Sequence, residues 1–216
     1  MKRLLLCIDF QMDFIGGLMT VKNGRLAADY TCNFLRRGEI SKVLITGDWH
    51  PITHCSFERN GGQWNTHCVQ HTVGASIYNK LLKTIWRLEC PYEIVLKGQD
   101  PTLEEYSFLR LYNNPEDPEL YKVYLDWINR LNEYDEIEVT GIAGDYCVLE
   151  TLKDLKPLWG KITVLSNCVA SIDGGATLFK FCKPNGIRIM EYKKRYEELG
   201  IFIPTRQMKK EMKKRR

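Results

Sequence analysis

The sequence predicts an α/β protein: one three-layer domain in which a mostly parallel sheet of about six strands carries helices on both faces. Three observations carry this expectation. Short, near-continuous apolar runs alternate with longer amphipathic stretches, and strands buried on both faces read as continuous apolar runs. The 216 residues, 44% of them hydrophobic and 11% aromatic, suit one domain with a full core. No internal repeat or linker interrupts the alternation.

In chain order, residues 4–10 read as the first strand and residues 24–37 as a helix. Residues 42–48 form the second strand, residues 75–86 a helix, and residues 92–97 the third strand. A helix over residues 119–131 is predicted by Leu120, Val123, Tyr124, Trp127 and Leu131, which share one face. Residues 136–143 are the fourth strand, and a helix runs from about Cys147 to Leu155. Residues 161–167 and 186–190 are further strands, separated by a helix near residues 175–182. Residues 51–74 are polar, contain glycine and lack periodicity. A loop of that length inside a compact domain is usually functional.

Composition excludes several classes. No apolar run reaches the ~20 residues of a membrane helix. The opening Met1-Lys2-Arg3 has the charge order of a signal peptide, but Asp9 breaks the apolar run too early for a secretory core. The expectation is a cytoplasmic protein. The net charge of +4 is uneven: residues 205–216 hold seven basic side chains and one acidic one, leaving 24 basic and 26 acidic in residues 1–204. The domain is therefore residues 1–204, followed by a basic, solvated tail. A body of net charge −2 is not a nucleic-acid binder. Eight cysteines scattered through a chain without an export signal read as reduced thiols.

Open parallel sheets place their sites beyond the carboxyl ends of the strands. Asp9 ends the first strand, Asp48 and His50 the second, and Lys97 the third, while Asp145 and Cys147 follow the fourth. Four consecutive strands thus deliver reactive side chains to one rim. Cys147 stands at a strand-to-helix turn, where a helix amino terminus favours a thiolate and backbone N–H groups can hold an oxyanion. All four histidines, His50, His54, His67 and His71, fall between residues 50 and 71. Asp48-Trp49-His50 puts two ligands on one side of an extended segment. With His67 they form a two-histidine, one-carboxylate set that leaves coordination positions open. One divalent metal is expected, zinc first, with iron or manganese acceptable to the same donors. His54 is a candidate fourth ligand. A structural zinc knot on Cys55 and Cys68 is disfavoured, because no Cys-x-x-Cys pair occurs there.

These segments together resemble the nicotinamidase/pyrazinamidase branch of the isochorismatase-like cysteine hydrolases. Asp9-Phe10-Gln11-Met12-Asp13-Phe14 is similar to the family's first-strand motif, and Asp48-Trp49-His50-Pro51 with His54 to its metal loop. Trp64 to Gln70 resembles the segment that supplies an aromatic wall and another metal histidine. Lys97-Gly98 resembles the lysine segment, and Ile142 to Val148 the nucleophile segment. Three departures stand out. Gly144 replaces a usual threonine, His71 a usual glycine or asparagine, and Glu104-Glu105-Tyr106-Ser107-Phe108 blurs the pattern after the lysine.

The resemblance implies hydrolysis of nicotinamide to nicotinic acid and ammonia in NAD salvage, with activity on pyrazinamide. It also implies a cis peptide at Ile142–Ala143. Chemically, Cys147 is the nucleophile, Asp9 the proton carrier and Lys97 the nearby cation. The N–H groups of Ala143 and Cys147 are the expected oxyanion hole, worth about 3 kcal/mol per donor. Phe14, Trp64 and Tyr106 are the expected pocket walls. The partner is a small-molecule amide, and a homo-oligomer is open. An amidase for another small aromatic amide and a metal-holding module without turnover are the competing readings.

Overall fold

The computed structural model describes residues 1–37 and 39–201. The basic tail expected at residues 205–216, and the domain boundary before it, lie outside the described residues. The strands are β1 (Arg3–Ile8), β2 (Lys42–Asp48), β3 (Tyr92–Lys97), β4 (Glu136–Ile142), β5 (Ile162–Ala170) and β6 (Arg188–Met190). They form one sheet in the order β3-β2-β1-β4-β5-β6, parallel at every pairing. This is a doubly wound order whose direction reverses between β1 and β4, and a crevice opens at that switch point.

The helices are α1 (Met12–Gly16), α2 (Gly24–Leu35), α3 (Asn79–Arg87), α4 (Pro118–Asn132), α5 (Leu149–Asp154), α6 (Ala176–Cys182) and α7 (Tyr192–Glu198). Strand β1 is buried throughout and sorts its side chains by the period of two. Leu5 and Cys7 meet Ala28 and Phe34 of α2, Ile85 of α3 and Tyr196 of α7. Leu4, Leu6 and Ile8 meet Tyr124 and Leu131 of α4, Leu152 of α5 and Leu178 of α6. These two cores make the three layers. Asp117 caps α4 by accepting from the N–H groups of Glu119 and Leu120, and Pro118 opens its first turn. On that helix Ile128 is buried while Val123 stays 38% exposed, so the apolar face is rotated from the predicted one.

Several boundaries differ for physical reasons. The helix expected from residue 75 begins at Asn79, because the preceding backbone is engaged by the start of α1. Met12 N–H donates to Ser76 O, Asp13 N–H to Gly74 O, and Tyr78 N–H to Phe10 O. Helix α1 is too short for a periodic signal. Helix α7 is masked in the sequence by its charges, yet Arg195 is 2% exposed and pairs with the fully buried Glu138. The turn after β4 starts at Gly144 as a π-helical segment, Gly144–Val148, with Cys147 inside it, and α5 follows at Leu149. All eight cysteines are free thiols. Among the described residues, no helix is long and apolar enough to cross a membrane.

Candidate active site and metal-binding group

Asp9 follows β1 with φ 51°, so the chain turns sharply and drops its carboxylate into the crevice. The side chain is fully buried. Thr46 on β2 donates its hydroxyl to Asp9 Oδ1 at 2.6 Å, and Lys97 Nζ stands 2.9 Å from Oδ2. Lys97, the last residue of β3, also contacts Asp48 Oδ1, donates to Glu105 O at 3.2 Å, and lies 3.7 Å from Cys147 Sγ. The structure thus brings Asp9, Lys97 and Cys147 into one cluster. The Ile142–Ala143 peptide is cis.

The charges around the sulfur oppose one another. Burial pushes the Cys147 thiol well above its ordinary range; Lys97 pulls it down, but Asp9 and Asp48 add to the rise. Burial beside two carboxylates thus works against the thiolate that a helix start and Lys97 would favour. Burial likewise raises Asp9, against the pull of Lys97. Burial would lower Lys97, yet Asp48 and Asp9 hold its proton firmly. Burial would raise Asp48, but Lys97 and then His50 keep it well below the carboxylate range.

The same Asp48 turns its other oxygen to two histidines. Oδ2 lies 3.6 Å from His50 Nε2 and 4.0 Å from His67 Nε2. His50 Nδ1 is bonded to Gly98 O at 2.8 Å and His67 Nδ1 to Asn65 O at 2.7 Å. A carbonyl can only accept, so each Nδ1 carries a proton, which leaves Nε2 as the lone-pair nitrogen of the neutral ring. Three buried donors therefore converge within 4.8 Å, a group that could hold a metal ion. His54 differs. Its ring lies tilted against His50 with centroids 4.0 Å apart, but its Nδ1 is bonded to Ser56 Oγ and its Nε2 to Leu103 O. Both nitrogens are taken, so it supports the His50 ring rather than offering a ligand. His71 is exposed and stands edge-on to Trp49.

Phe14, Trp64 and Tyr106 line one pocket together with Asp48, His67, Ala143 and Cys147. Trp64 Nε1 donates to Tyr106 O–H at 3.0 Å, which fixes two walls against each other. Met19, Val21, Glu104, Tyr146 and Ile172 complete the lining and were not anticipated. Positioning residues were also missed. Gln11 reads both sides of the Asp48 backbone: its Nε2 donates to Asp48 O and its Oε1 accepts from Asp48 N–H, each at 2.7 Å. Asp13 accepts from Cys68 N–H at 2.7 Å, anchoring the residue next to His67. The alternating polar residues of Asp9-Phe10-Gln11-Met12-Asp13 were the available signal, since a buried polar side chain requires a partner.

Two departures from the family pattern acquire reasons. His71 has φ 64°, the left-handed region that favours glycine or asparagine. A Cβ on Gly144 would collide with Ser171 Oγ and approach Val169 at 2.8 Å, so Ser171 fills the space that a larger residue would need.

The chain is thus a doubly wound α/β protein with a thiol, a carboxylate and an ammonium gathered at its switch point. No family model matches the chain. It is 31% identical over 185 residues to the nicotinamidase of Escherichia coli strain K12, covering 76% of this chain and 81% of that enzyme. It is 28% identical to the nicotinamidase/pyrazinamidase of Mycobacterium tuberculosis, covering 82% and 90%. The crystal structure of Pyrococcus horikoshii pyrazinamidase in complex with zinc superposes with a TM-score of 0.67 at 27% identity, covering 88% of this chain and 99% of that one. The chain belongs to the nicotinamidase family.

Proposed function

We propose that this chain hydrolyses nicotinamide to nicotinic acid and ammonia through a thioester on Cys147, and acts on pyrazinamide by the same route. The observation that carries the reading is one aromatic-walled pocket reached by both the Cys147 thiol and the Asp48–His67 side of the metal-competent group. The names of the relatives support the substrate class.

A carboxamide is a weak electrophile, so the thiol must attack as it loses its proton. Asp9 accepts that proton while the S–C bond forms and the carbonyl electrons move to oxygen. The N–H groups of Ala143 and Cys147 receive the oxyanion. Collapse breaks the C–N bond, and Asp9 returns the proton to departing ammonia. Water, deprotonated by Asp9, then attacks the thioester; the C–S bond breaks and the thiol is restored as the acid leaves. Lys97 holds Asp9 in place and offsets negative charge on sulfur. Phe14, Trp64 and Tyr106 enclose the flat ring.

Asp48, His50 and His67 are the residues that would hold a divalent ion, zinc first and iron or manganese within reach of the same donors. Their lone pairs are fixed for it by Gly98 and Asn65. When bound, such an ion supplies a Lewis acid toward the ring nitrogen of the substrate. The test is the ratio of kcat/KM for nicotinamide to that for benzamide, with and without metal, in folded protein. Benzamide lacks the ring nitrogen, so metal removal should collapse the ratio while sparing its residual rate. A ratio unchanged by metal removal refutes ring-nitrogen binding. Undetectable ammonia release from nicotinamide by the metal-loaded protein refutes the activity.

A further inference from the structure

The two edges of the sheet are treated differently. Strand β6 is three residues long and begins with the exposed Arg188, which pairs with Glu136 and Glu198. Short, charged edges resist pairing with other chains. Among the described residues strand β3 has less protection: only the exposed Gln99 Nε2 reaches its outward side, donating to Leu96 O at 3.3 Å. It is six residues long, contains no proline, and keeps an unbroken register with β2. Its one acidic residue, Glu93, is neutralised by Lys42 at 2.6 Å and Arg130 at 2.8 Å.

The outward bonding groups of β3 can be assigned. Val43 N–H donates to Pro91 O at one end, and Trp49 N–H donates to Lys97 O at the other. The N–H and C=O of one strand residue point to the same side and alternate along the chain. Odd-numbered residues therefore face β2, and Tyr92, Ile94 and Leu96 aim their backbone groups away from the sheet. The side chains of these same residues are 42%, 41% and 37% exposed. Trp86 of α3, 55% exposed, flanks them and donates Nε1–H to Tyr92 O–H at 3.2 Å.

We infer that this edge is a two-fold interface between copies of the chain, with β3 paired antiparallel to β3 of its partner and the dyad at Ile94. In that register Ile94 faces Ile94, and Tyr92 faces Leu96. All three outward residues then fall in hydrogen-bonded pairs, each exchanging both bonds once the exposed Gln99 side chain yields the Leu96 carbonyl. An isologous contact of this kind needs a surface complementary to itself, which a strand centred on one apolar residue provides. The exposed parts of Trp86, Tyr92, Ile94 and Leu96 sum to on the order of 400 Å² per copy, scaling from full aromatic burial. That is about half of the ~800 Å² per partner typical of a stable interface, the remainder falling to the paired backbone and the flanking polar side chains.

The test uses the full chain and needs no ligand. Sedimentation velocity over a micromolar to submillimolar range should give a concentration-dependent dimer. Ile94→Lys and Ile94→Glu each place like charges opposite one another and should raise the dimer dissociation constant by on the order of 100-fold. Mixing the two variants pairs lysine with glutamate and should restore association to within about tenfold of wild type. Matching thermal melts of the unmixed variants show that the fold is intact. A wild-type chain that stays monomeric throughout overturns the inference and leaves the edge to an extended peptide of another protein. Variants that remain dimeric, or that fail to recombine on mixing, overturn it equally.

Discussion

Gly98→Ala should weaken metal binding at the Asp48–His50–His67 group by more than its backbone cost alone explains. Gly98 has φ 65°, and a Cβ there would overlap the His50 ring at Nδ1 and Cε1. Two costs follow. An L-residue in the left-handed region loses about 1–2 kcal/mol. The His50 ring must also turn, breaking the 2.8 Å bond that fixes its tautomer. Loss of such a supporting bond typically lowers metal affinity 10–100-fold, or about 1.4–2.7 kcal/mol. The matched control is Gly61→Ala: its φ is 91°, and nothing lies within 4 Å of the added carbon. It carries the backbone cost alone. Chelator competition with zinc reads affinity, and thermal melts of the metal-free proteins read the fold. Both variants should melt a few degrees lower, but only Gly98→Ala should lose metal affinity. Equal zinc affinity in the two would refute the argument that the Gly98 carbonyl orients His50.

Cys147→Ala should abolish ammonia release while zinc binding persists, because Sγ is absent from the Asp48–His50–His67 group; retained turnover would remove the thioester. His71→Gly should stabilise the protein by up to about 1 kcal/mol by relieving φ 64°, read as a rise in Tm. Burial raises Glu136, but Arg195 and Arg3 outweigh it and hold this carboxylate below its ordinary 4.5. Its stabilising contribution is therefore full above about pH 4.5 and fades as the pH falls through the depressed value. Glu136→Gln should lower stability by about 1.5–3 kcal/mol at neutral pH and converge with wild type in acid, as denaturant midpoints at several pH values would show.

Strands β2 and β3 could be read to the residue, because each is an apolar run that ends on a charged side chain at the rim. Short elements could not. Helix α1 has too few residues for a period, and α7 hides its role because its buried face includes Arg195, whose partner Glu138 lies 57 positions away. The candidate site divides in the same way. Which residues reach the rim follows from where strands end, so Asp9, Asp48, Lys97 and Cys147 were nameable in advance. Their protonation was not, because it depends on how deeply each is buried and on which anion lies beside it. His54 shows the limit most clearly. Spacing alone makes it a ligand candidate, and only the positions of Ser56 and Leu103 reveal that both of its nitrogens are occupied.

The two halves of the site share backbone as well as charge. Asp48 gives one oxygen to Lys97 and the other to the histidines. Gly98 follows Lys97 directly, accepts from His50 through its carbonyl, and donates its N–H to Glu105 Oε2 at 2.9 Å, while Glu105 O accepts from Lys97. A single turn after β3 thus fixes the lysine, the tautomer of one histidine and, through Asp48, the group beside it. A displacement of that turn cannot move the ammonium without also moving His50. The blurred segment after Lys97 therefore keeps a defined duty: Glu105 closes this turn with its side chain, leaving Tyr106 to fasten Trp64 over the pocket.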